Sequence, residues 1–273
     1  MSVPDHFHFI FGLKPQTEPF HIAWYLCLRS CQVVNNPSQI SFYYVNEPHG
    51  EWWERIKPSL NLIKLDNEGT VFDTGLYQTH EEGRFIERAG LQYAHQADFL
   101  RLQILATNGG VYADIDTLFV TPYPASFYSY PCVMGSEAAD SDPPTICNAL
   151  IMAEPESVFV STWLERMQAV FDGSWNRHSC VEPALLSQSM PEQIHVVPPT
   201  PFFHFRYDRM GLIALFGRKA EVPEDLYSIH MWSHLWWEPW RTDFIPFHHG
   251  QLTEKFIREV DTTYNLIARR YLD

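Results

Sequence analysis

Basic residues are scarce in this sequence. It has 19 lysines and arginines against 33 aspartates and glutamates, which gives a formal net charge of −14 at pH 7. Proteins that bind nucleic acid through its phosphates carry a basic stripe or patch, and no such stripe is found here. The composition therefore argues against nucleic acid as a partner. It argues equally against simple electrostatic adhesion to an anionic lipid surface.

Long apolar runs and paired cysteines are also missing. No stretch approaches the roughly 20 apolar residues that a membrane-spanning helix needs. The first residues lack the basic segment followed by an apolar run that marks a signal peptide. The five cysteines are odd in number and lack the spacing of metal ligands: Cys27, Cys31, Cys132, Cys147 and Cys180. We expect buried, reduced thiols, no transmembrane segment and a cytoplasmic location.

Short apolar runs alternate with helical patterns in the first third of the chain. Runs typical of buried strands occur at residues 7–11, 40–45 and 60–65, and helical patterns lie between them at 20–34 and 52–56. This alternation predicts an α/β fold with a mostly parallel twisted sheet and helices on both faces. No repeat or linker interrupts the chain, so one domain over residues 1–273 is expected.

The rest of the chain carries three further helical patterns and a strand. A helix is predicted at residues 93–107, ended by Gly109 as a C-terminal glycine would do. A strand at 148–152 and a helix at 156–170 follow. The last predicted element is one amphipathic helix over residues 252–272.

The most informative segment joins a helix to a pair of acids. Asp98 and Arg101 lie at i and i+3, a spacing that by itself supports only a weak surface ion pair. Asp114 and Asp116 follow two glycines at the end of a predicted strand, where they would share one face while Ile115 turns into the core. Two such carboxylates make half of a site for a cation such as Mg²⁺, which fills its other positions with substrate phosphates and water. The pattern indicates a metal-bridged diphosphate.

The segment from Asp98 to Asp116 resembles the core of the glycosyltransferases that carry a DXD sugar-binding motif. This group contains yeast-type mannosyltransferases, lactosylceramide galactosyltransferases and the glucosylating domains of clostridial toxins. Their pattern is Asp-x-x-Arg on a helix, then Gly-Gly-x-Tyr-x-Asp-x-Asp, and every position is filled here. The resemblance implies the single-domain α/β fold called GT-A and a nucleotide-diphosphate sugar as the donor substrate.

The resemblance also implies roles for the motif residues. Asp116 would bind the metal directly, and Asp114 would contact the ribose or reach the ion through water. Asp98 and Arg101 would bind sugar hydroxyls, since a carboxylate offers acceptors and a guanidinium a planar set of donors. Tyr112 points the same way as the two acids and would line the donor pocket, and simple packing within the strand explains it equally well.

Both ends of the chain extend the resemblance. Relatives begin with a strand whose last residues stack on the nucleotide base, which places Ile10 and Phe11 at the base. Asn148 opens a predicted strand and resembles an Asn that faces the donor sugar. Near the C-terminus a His-x-Trp segment resembles the one that closes the donor site. On a strand His230 and Trp232 would face the ligand together, with His230 as a ligand for Mn²⁺. The alternative is that His230 packs beside Trp232 in the core.

The resemblance implies a metal-dependent transferase that moves a hexose to an acceptor hydroxyl with retention of anomeric configuration. Mn²⁺ or Mg²⁺ would be the cofactor. The acceptor would be a glycan, a lipid-linked molecule or a protein, so a peripheral location at the membrane where acceptors are assembled is also open. Glu182 and Pro183 stand where relatives have a Gly-Pro turn on the acceptor side. Two alternatives remain: a haloacid-dehalogenase-type phosphohydrolase, and a non-catalytic protein that binds a nucleotide or glycan.

Overall fold

Three strands connected by helices form the N-terminal part of the computed structural model, which describes residues 2–66, 88–138, 145–241 and 245–273. The elements are β1 (His6–Ile10), α1 (Ile22–Asn35), β2 (Gln39–Tyr44), α2 (Glu51–Ile56) and β3 (Asn61–Lys64). His21 caps α1 by accepting the backbone N–H of Ala23 at 3.2 Å, and Asn36 ends the helix in the left-handed conformation. The predicted alternation of strands and helices is confirmed.

The second part of the chain adds the elements that carry the candidate site. Its strands are β4 (Gly110–Ala113), β5 (Thr117–Phe119), β6 (Cys132–Ala138), β7 (Thr145–Ala153), β8 (His195–Val197) and β9 (Ser228–His230). Its helices are α3 (Arg88–Asn108), α4 (Val158–Val170), α5 (Glu182–Ser189), α6 (Thr200–Phe203), α7 (Arg209–Leu212), α8 (Glu254–Glu259) and α9 (Thr263–Ala268). Within the described ranges, none of the helices combines the length and the apolar character that crossing a bilayer requires.

Seven of these strands form one sheet in the order β3-β2-β1-β4-β7-β6-β8. β1 pairs in parallel with β2 and β4, β2 with β3, and β6 with β8, while β7 runs antiparallel to both of its neighbours. β5 and β9 form a separate antiparallel pair. The expected α/β fold, with a mostly parallel sheet flanked by helices, is confirmed. Because β1 and β4 are parallel, the acidic segment after β4 lies at the sheet edge where β1 also ends.

Apolar side chains cover both faces of this sheet. Phe7 and Phe9 of β1 pack on the face occupied by α1, whereas Ile10 packs on the opposite face with Phe99 of α3 and Trp163 of α4. Strand alternation explains the division, since successive residues point to opposite faces. The second face therefore carries both α3 and α4. All five cysteines are buried free thiols, as expected.

The C-terminal segment differs from the prediction. Residues 252–272 do not form one helix but contain the two short helices α8 and α9. The Thr262 hydroxyl accepts the backbone N–H of Asn265 at 3.1 Å and so begins a new helix. Asn265 in turn donates its side-chain amide to the carbonyls of Phe256 and Val260. These local hydrogen bonds override a hydrophobic pattern that alone predicts one continuous helix.

Candidate active site

Asp98 and Arg101 lie on the buried face of α3. Only 8% of Asp98 and 5% of Arg101 is exposed, and Arg101 Nη2 lies 3.1 Å from Asp98 Oδ1. The expectation of a surface ion pair was wrong, because the pair faces β7 and the turn before α5 rather than solvent. Removing one member of a buried ion pair typically costs about 3–5 kcal/mol, since the other charge stays buried. Each residue therefore depends on the other.

The Arg101 guanidinium is held mainly by protein acceptors. Its Nε donates to the carbonyl of Ala97 at 3.2 Å, and Nη1 donates to the carbonyl of Asn148 at 2.8 Å. Nη1 also lies 3.3 Å from Asp114 Oδ1, and the guanidinium carbon lies 4.6 Å from the centre of the Tyr112 ring. The planar fork thus ties α3 to β7 and to the acidic segment after β4.

Besides Arg101, three side chains approach the Asp98 carboxylate. Asn148 Nδ2 donates to Oδ1 at 2.7 Å, and His178 Nε2 lies 3.1 Å from Oδ2. His95 Nδ1 lies 3.7 Å from the same oxygen. Burial opposes ionisation of this carboxyl, yet Arg101 and the imidazoles hold its pKa well below the usual range.

The sequence-based analysis missed both histidines. His95 lies one turn before Asp98 on the same helix face, and that i, i+3 spacing was a usable signal. His178 is 80 residues away from Asp98, in a one-turn π-helix (Arg177–Val181). No feature of the sequence predicts that contact. Asn148 contacts both members of the pair from inside β7 rather than from its beginning, and that it faces the donor sugar stays a prediction.

The two DXD acids lie on a turn and not on a strand. β4 ends at Ala113, and the backbone N–H of Thr117 donates to the carbonyl of Asp114 at 3.0 Å, which closes the turn. The predicted extended backbone was therefore wrong, and Ile115 is only half-buried at the edge of the core. The turn nevertheless brings Asp114 and Asp116 together on one side.

His230 completes a group with these two acids. The pairing of β5 with β9 sets His230 opposite Thr117, next to the turn. His230 Nε2 lies 2.9 Å from Asp116 Oδ1 and 3.8 Å from Asp114 Oδ2. The backbone N–H of Ser233 donates to Asp116 Oδ2 at 2.8 Å. One ligand atom from each of Asp114, Asp116 and His230 falls within 4.8 Å of the others, a spacing that suits a metal ion.

The pKa values of Asp114, Asp116 and His230 are shifted in different directions. Burial opposes ionisation of Asp116, but His230 and the N–H of Ser233 keep its pKa below the usual range. Burial raises the pKa of Asp114, and Arg101 and His230 offset that rise only in part. Burial lowers the pKa of His230, and the two carboxylates more than reverse this, so its pKa is raised. A cation among the three would relieve the excess negative charge.

Tyr112 contacts the acidic turn directly, as predicted from its position on β4. Its hydroxyl donates to Asp114 Oδ1 at 2.6 Å while its ring lies under Arg101. The close packing of β4 against β1 requires glycine at position 110. Gly110 has φ +100°, and a Cβ there would lie 2.4 Å from the carbonyl oxygen of His6. The Gly-Gly pair therefore sets the start of the strand that delivers Tyr112 and the acids.

Trp232 does not share a strand with His230. β9 ends at His230, and Trp232 has the left-handed backbone conformation, with φ 53°. The prediction of one extended segment was wrong at this residue. The two rings still pack edge to face with centroids 4.2 Å apart, and Trp232 Nε1 donates to the carbonyl of Phe205 at 2.7 Å. Packing and proximity to the acids thus occur together, and contact of Trp232 with a ligand stays a prediction.

Ile10 and Phe11 lie at the same sheet edge as the acids but on opposite faces. β1 pairs with β4 as far as His8 and Tyr112, and Ile10 follows at the same end of the sheet as the acidic turn. Phe11 packs instead among Phe20, Trp24 and other rings beside α1. That Ile10 and Phe11 contact the nucleotide base stays a prediction.

Glu182 has a structural role that explains why it replaces glycine. It is fully buried, and Arg166 Nε lies 2.6 Å from Oε1 while Arg177 Nη1 lies 3.5 Å from Oε2. Pro183 follows it in the first turn of α5, where its missing N–H costs nothing. The pair of arginines thus fixes α5 beside the turn that carries His178.

Comparisons with known proteins agree with this site. Residues 37–132 match the family model described as glycosyltransferase sugar-binding region containing DXD motif. Among curated proteins, glucan organizing enzyme 1 of Cryptococcus neoformans var. grubii is 30% identical over 287 residues, covering 100% of this chain and 71% of the relative.

Similar solved structures include two transferases. The PaToxG glycosyltransferase aligns with a TM-score of 0.49 at 18% identity, covering 70% of this chain and 71% of its own. Mouse xyloside xylosyltransferase 1 in its apo form aligns with a TM-score of 0.49 at 14% identity, covering 82% of this chain and 96% of its own. The family assignment follows from the sequence matches, in which the relative aligns over the whole chain. The chain belongs to the family of glycosyltransferases whose sugar-binding region contains the DXD motif.

Proposed function

We propose that this chain is a metal-dependent hexosyltransferase that uses a nucleotide-diphosphate sugar as donor. The observation that carries the proposal is the convergence of Asp114, Asp116 and His230 within 4.8 Å. This group lies beside the buried pair of Asp98 and Arg101, and Arg101 contacts both regions. A charged diphosphate and a polar sugar are the two chemically different parts of such a donor, and the site has a region suited to each.

The donor atoms of the acidic turn suit Mn²⁺ or Mg²⁺. Carboxylate oxygens are ligands that both ions accept, and the imidazole of His230 favours Mn²⁺. Burial raises the pKa of Asp114, and Arg101 and His230 offset that rise only in part, so a bound cation would stabilise its ionised form. When bound, the cation would neutralise charge on the departing diphosphate and act as a Lewis acid.

Other residues would orient the two carboxylates and bind the sugar. Asp116 is oriented by the N–H of Ser233, and Asp114 by the hydroxyl of Tyr112, so both carboxylates are preorganised for a ligand. Asp98 and Asn148 form a hydrogen-bonded pair that would contact the sugar hydroxyls. A site arranged in this way holds the anomeric carbon at a fixed distance from the acceptor and excludes water from it.

We propose retention of anomeric configuration by displacement on the same face as the leaving phosphate. Asp98 accepts hydrogen bonds from Asn148 and lies against Arg101, so it is a poor covalent nucleophile. Asp114 and Asp116 face His230. These engagements support a mechanism without a glycosyl-enzyme bond.

The acceptor is proposed from the relative's name. That name refers to glucan, which favours a glycan among the acceptor classes and places lipid-linked and protein acceptors second. The phosphohydrolase alternative has no support from the family. A cytoplasmic location, including a peripheral one at a membrane, is proposed and awaits a localisation experiment.

The proposal is tested by donor hydrolysis. Purified protein is incubated with uridine, guanosine and adenosine diphosphate hexoses in Mn²⁺, in Mg²⁺ and with a chelator, and release of nucleoside diphosphate is measured. We expect one donor to be turned over only when a divalent ion is present, and transfer to appear when glucan oligosaccharides are added. Release of phosphate from a phosphomonoester without donor turnover would support the phosphohydrolase instead. Metal-dependent binding without turnover of any donor would support a non-catalytic nucleotide-binding protein.

A further inference from the structure

Two histidines outside the DXD motif lie against the Asp98 carboxylate. His178 Nε2 is 3.1 Å from Asp98 Oδ2, and His95 Nδ1 is 3.2 Å from His178 Nε2. Both imidazoles are fully buried. We call His95 and His178 the imidazole pair. The family pattern that identifies Asp98 and Arg101 assigns no role to either histidine.

The imidazole pair is held in place by its own surroundings. Trp163 Nε1 donates to the carbonyl of His178 at 2.9 Å, which fixes the π-helical turn. The ring of His178 stacks on Phe99 at 18° with centroids 6.0 Å apart, and Phe171 packs against both imidazoles edge to face. Single π-helical turns are rare and are frequently found at functional sites. The fold thus positions His178 independently of Asp98.

The acceptor capacity of Asp98 shows what this arrangement leaves open. A carboxylate has about four lone-pair positions, two on each oxygen. Asn148 Nδ2 and Arg101 Nη2 approach Oδ1, at 2.7 and 3.1 Å. His178 Nε2 approaches Oδ2 at 3.1 Å, and His95 Nδ1 lies 3.7 Å away, beyond hydrogen-bond distance, so the described residues leave one position on Oδ2 for another donor. A sugar hydroxyl is a donor of the right size and polarity for that position.

We propose that His178, with the His95 ring packed beside it, is a positioning residue that orients the Asp98 carboxylate so that Oδ2 accepts a hydroxyl of the donor hexose. The inference rests on the proposed function, because it assigns the sugar part of the same donor. The pair acts through Asp98 and does not touch the diphosphate. Its loss should therefore weaken recognition of the sugar and spare recognition of the nucleotide.

One ligand atom from each of His95, Asp98 and His178 lies close enough to the others to hold a transition metal. The local charge favours the positioning role, because the Arg101 guanidinium lies 3.1 Å from the single carboxylate available. A dication there would face a fixed positive charge with only one negative ligand. A metal ion bound by the imidazole pair and Asp98 would therefore overturn the proposal.

The test compares ligands with and without the sugar. His178→Phe removes the donor and keeps a ring, whereas His178→Gln restores an N–H near the position of Nε2. Dissociation constants in Mn²⁺ are measured for the nucleotide hexose that the wild type hydrolyses and for its free nucleoside diphosphate. We expect His178→Phe to bind the nucleotide hexose about 10- to 100-fold more weakly, as loss of a hydrogen bond to a charged group predicts. The free diphosphate should change by less than about threefold, and His178→Gln should recover most of the lost affinity.

A control and a substitute variant keep the test decisive. His195, which stacks on Tyr130 with centroids 4.1 Å apart, provides the matched change His195→Phe, and it should alter neither constant. If His178→Phe does not fold, His178→Asn replaces it, because the amide of Asn is too short to reach Oδ2.

Four results would overturn the proposal. Equal weakening of both ligands, with no recovery in His178→Gln, would assign His178 to packing. Zinc bound stoichiometrically to the purified wild type and lost in the His178 variant, measured by elemental analysis, would make the cluster a metal site. If the wild type neither binds nor hydrolyses a nucleotide hexose, the proposed function fails and this inference fails with it. An active wild type with an unaffected His178→Phe variant contradicts the inference alone.

Discussion

The two groups of carboxylates in this site are neutralised in different ways. Asp98 is enclosed by donors from Asn148, Arg101 and His178, and its pKa is well below the usual range. Asp114 and Asp116 share the imidazole of His230, Arg101 reaches only Asp114, and burial keeps the pKa of Asp114 raised. In the first group the charge is balanced within the protein, although Oδ2 keeps one position for a neutral donor. The second needs charge from outside, which is why we propose a cation there and a sugar at Asp98.

Arg101 connects the two groups. Its Nη2 lies 3.1 Å from Asp98 and its Nη1 lies 3.3 Å from Asp114. Any shift of Asp114 toward a bound ion therefore changes the charge around Arg101, which also contacts the sugar-side acid. This side chain lies between the ion-binding turn and the sugar-binding acid.

The largest effect should come from Asp116→Asn, which removes one of the two carboxylates of the proposed cation site. We expect metal-dependent donor turnover to fall by about 10³-fold, the upper range for loss of one electrostatic group at a reacting centre. The fold should persist, because the amide oxygen still accepts the N–H of Ser233. Nucleoside diphosphate release and circular dichroism measure the two outcomes.

The control for that change is Asp208→Asn. Asp208 is exposed and caps α7 by accepting the N–H of Gly211 at 2.8 Å. It should leave turnover unaltered. Wild-type turnover in Asp116→Asn would contradict the cation-binding role of the acidic turn.

The next largest effect should come from Arg101→Lys, which breaks the link between the groups. A single ammonium cannot reach the acceptors that the planar fork contacts, so the buried acids lose partners. We expect a loss of about 3 kcal/mol in the free energy of unfolding, measured by urea denaturation. Donor affinity should fall as well.

Arg55→Lys is the matched control, since Arg55 pairs with Glu51 on the exposed surface of α2. It should change the free energy of unfolding by less than about 0.5 kcal/mol. Equal stability losses in the two variants would show that Arg101 does not carry the buried network.

A change of pH should have an effect of intermediate size on the affinity for Mn²⁺ and on the stability of the metal-free protein. The raised pKa of His230 means that the imidazole must lose a proton before it binds a metal, so the affinity for Mn²⁺ should weaken as the pH falls from about 8 to about 6. In the metal-free protein the sign is opposite. In that state the ion pair of protonated His230 with Asp116 stabilises the fold below the ordinary histidine pKa. This stabilisation is lost as the pH rises through the raised pKa of His230. Calorimetric titration with Mn²⁺ and thermal unfolding without metal measure the two trends, and His230→Gln should flatten both.

The smallest effect should come from Tyr112→Phe, which removes one hydrogen bond to Asp114. We expect a loss of about 1 kcal/mol in the free energy of unfolding. Metal-dependent donor binding should also weaken slightly, because Asp114 is less well oriented. Tyr271→Phe removes a comparable buried bond to the carbonyl of Phe119, and it should lower stability without altering donor binding. If both variants bind the donor equally well, Tyr112 serves packing alone.

The residues of the site were largely predictable from sequence because the motif fixes them at short spacings. Asp98 and Arg101 share a helix face, and the acids follow directly after β4. His230 was found only through the resemblance, since the β5–β9 pairing that brings it to Thr117 spans more than a hundred residues. The alternation of strands and helices likewise gave the α/β class. Local patterns thus carried most of the prediction.

The failures came from hydrogen bonds that periodicity does not encode. The bond from Thr117 to Asp114 turns a predicted strand end into a tight turn, and Trp232 leaves the strand by adopting a left-handed backbone. Burial of Asp98 was missed because it depends on α4 and on a turn 80 residues away that carries His178. Such long-range contacts depend on how elements pack, and a single sequence does not specify them.

The most direct test of the account is calorimetric titration with a nucleoside diphosphate, with and without Mn²⁺, on the wild type, Asp116→Asn and Asp98→Asn. The account predicts that binding depends on Mn²⁺ in the wild type and is lost in Asp116→Asn. Asp98→Asn should stay within about threefold of the wild type, because Asp98 serves the sugar and not the diphosphate. Loss of Mn²⁺-dependent binding in Asp98→Asn, with binding retained in Asp116→Asn, would contradict the division of the site into an ion-binding turn and a sugar-binding helix.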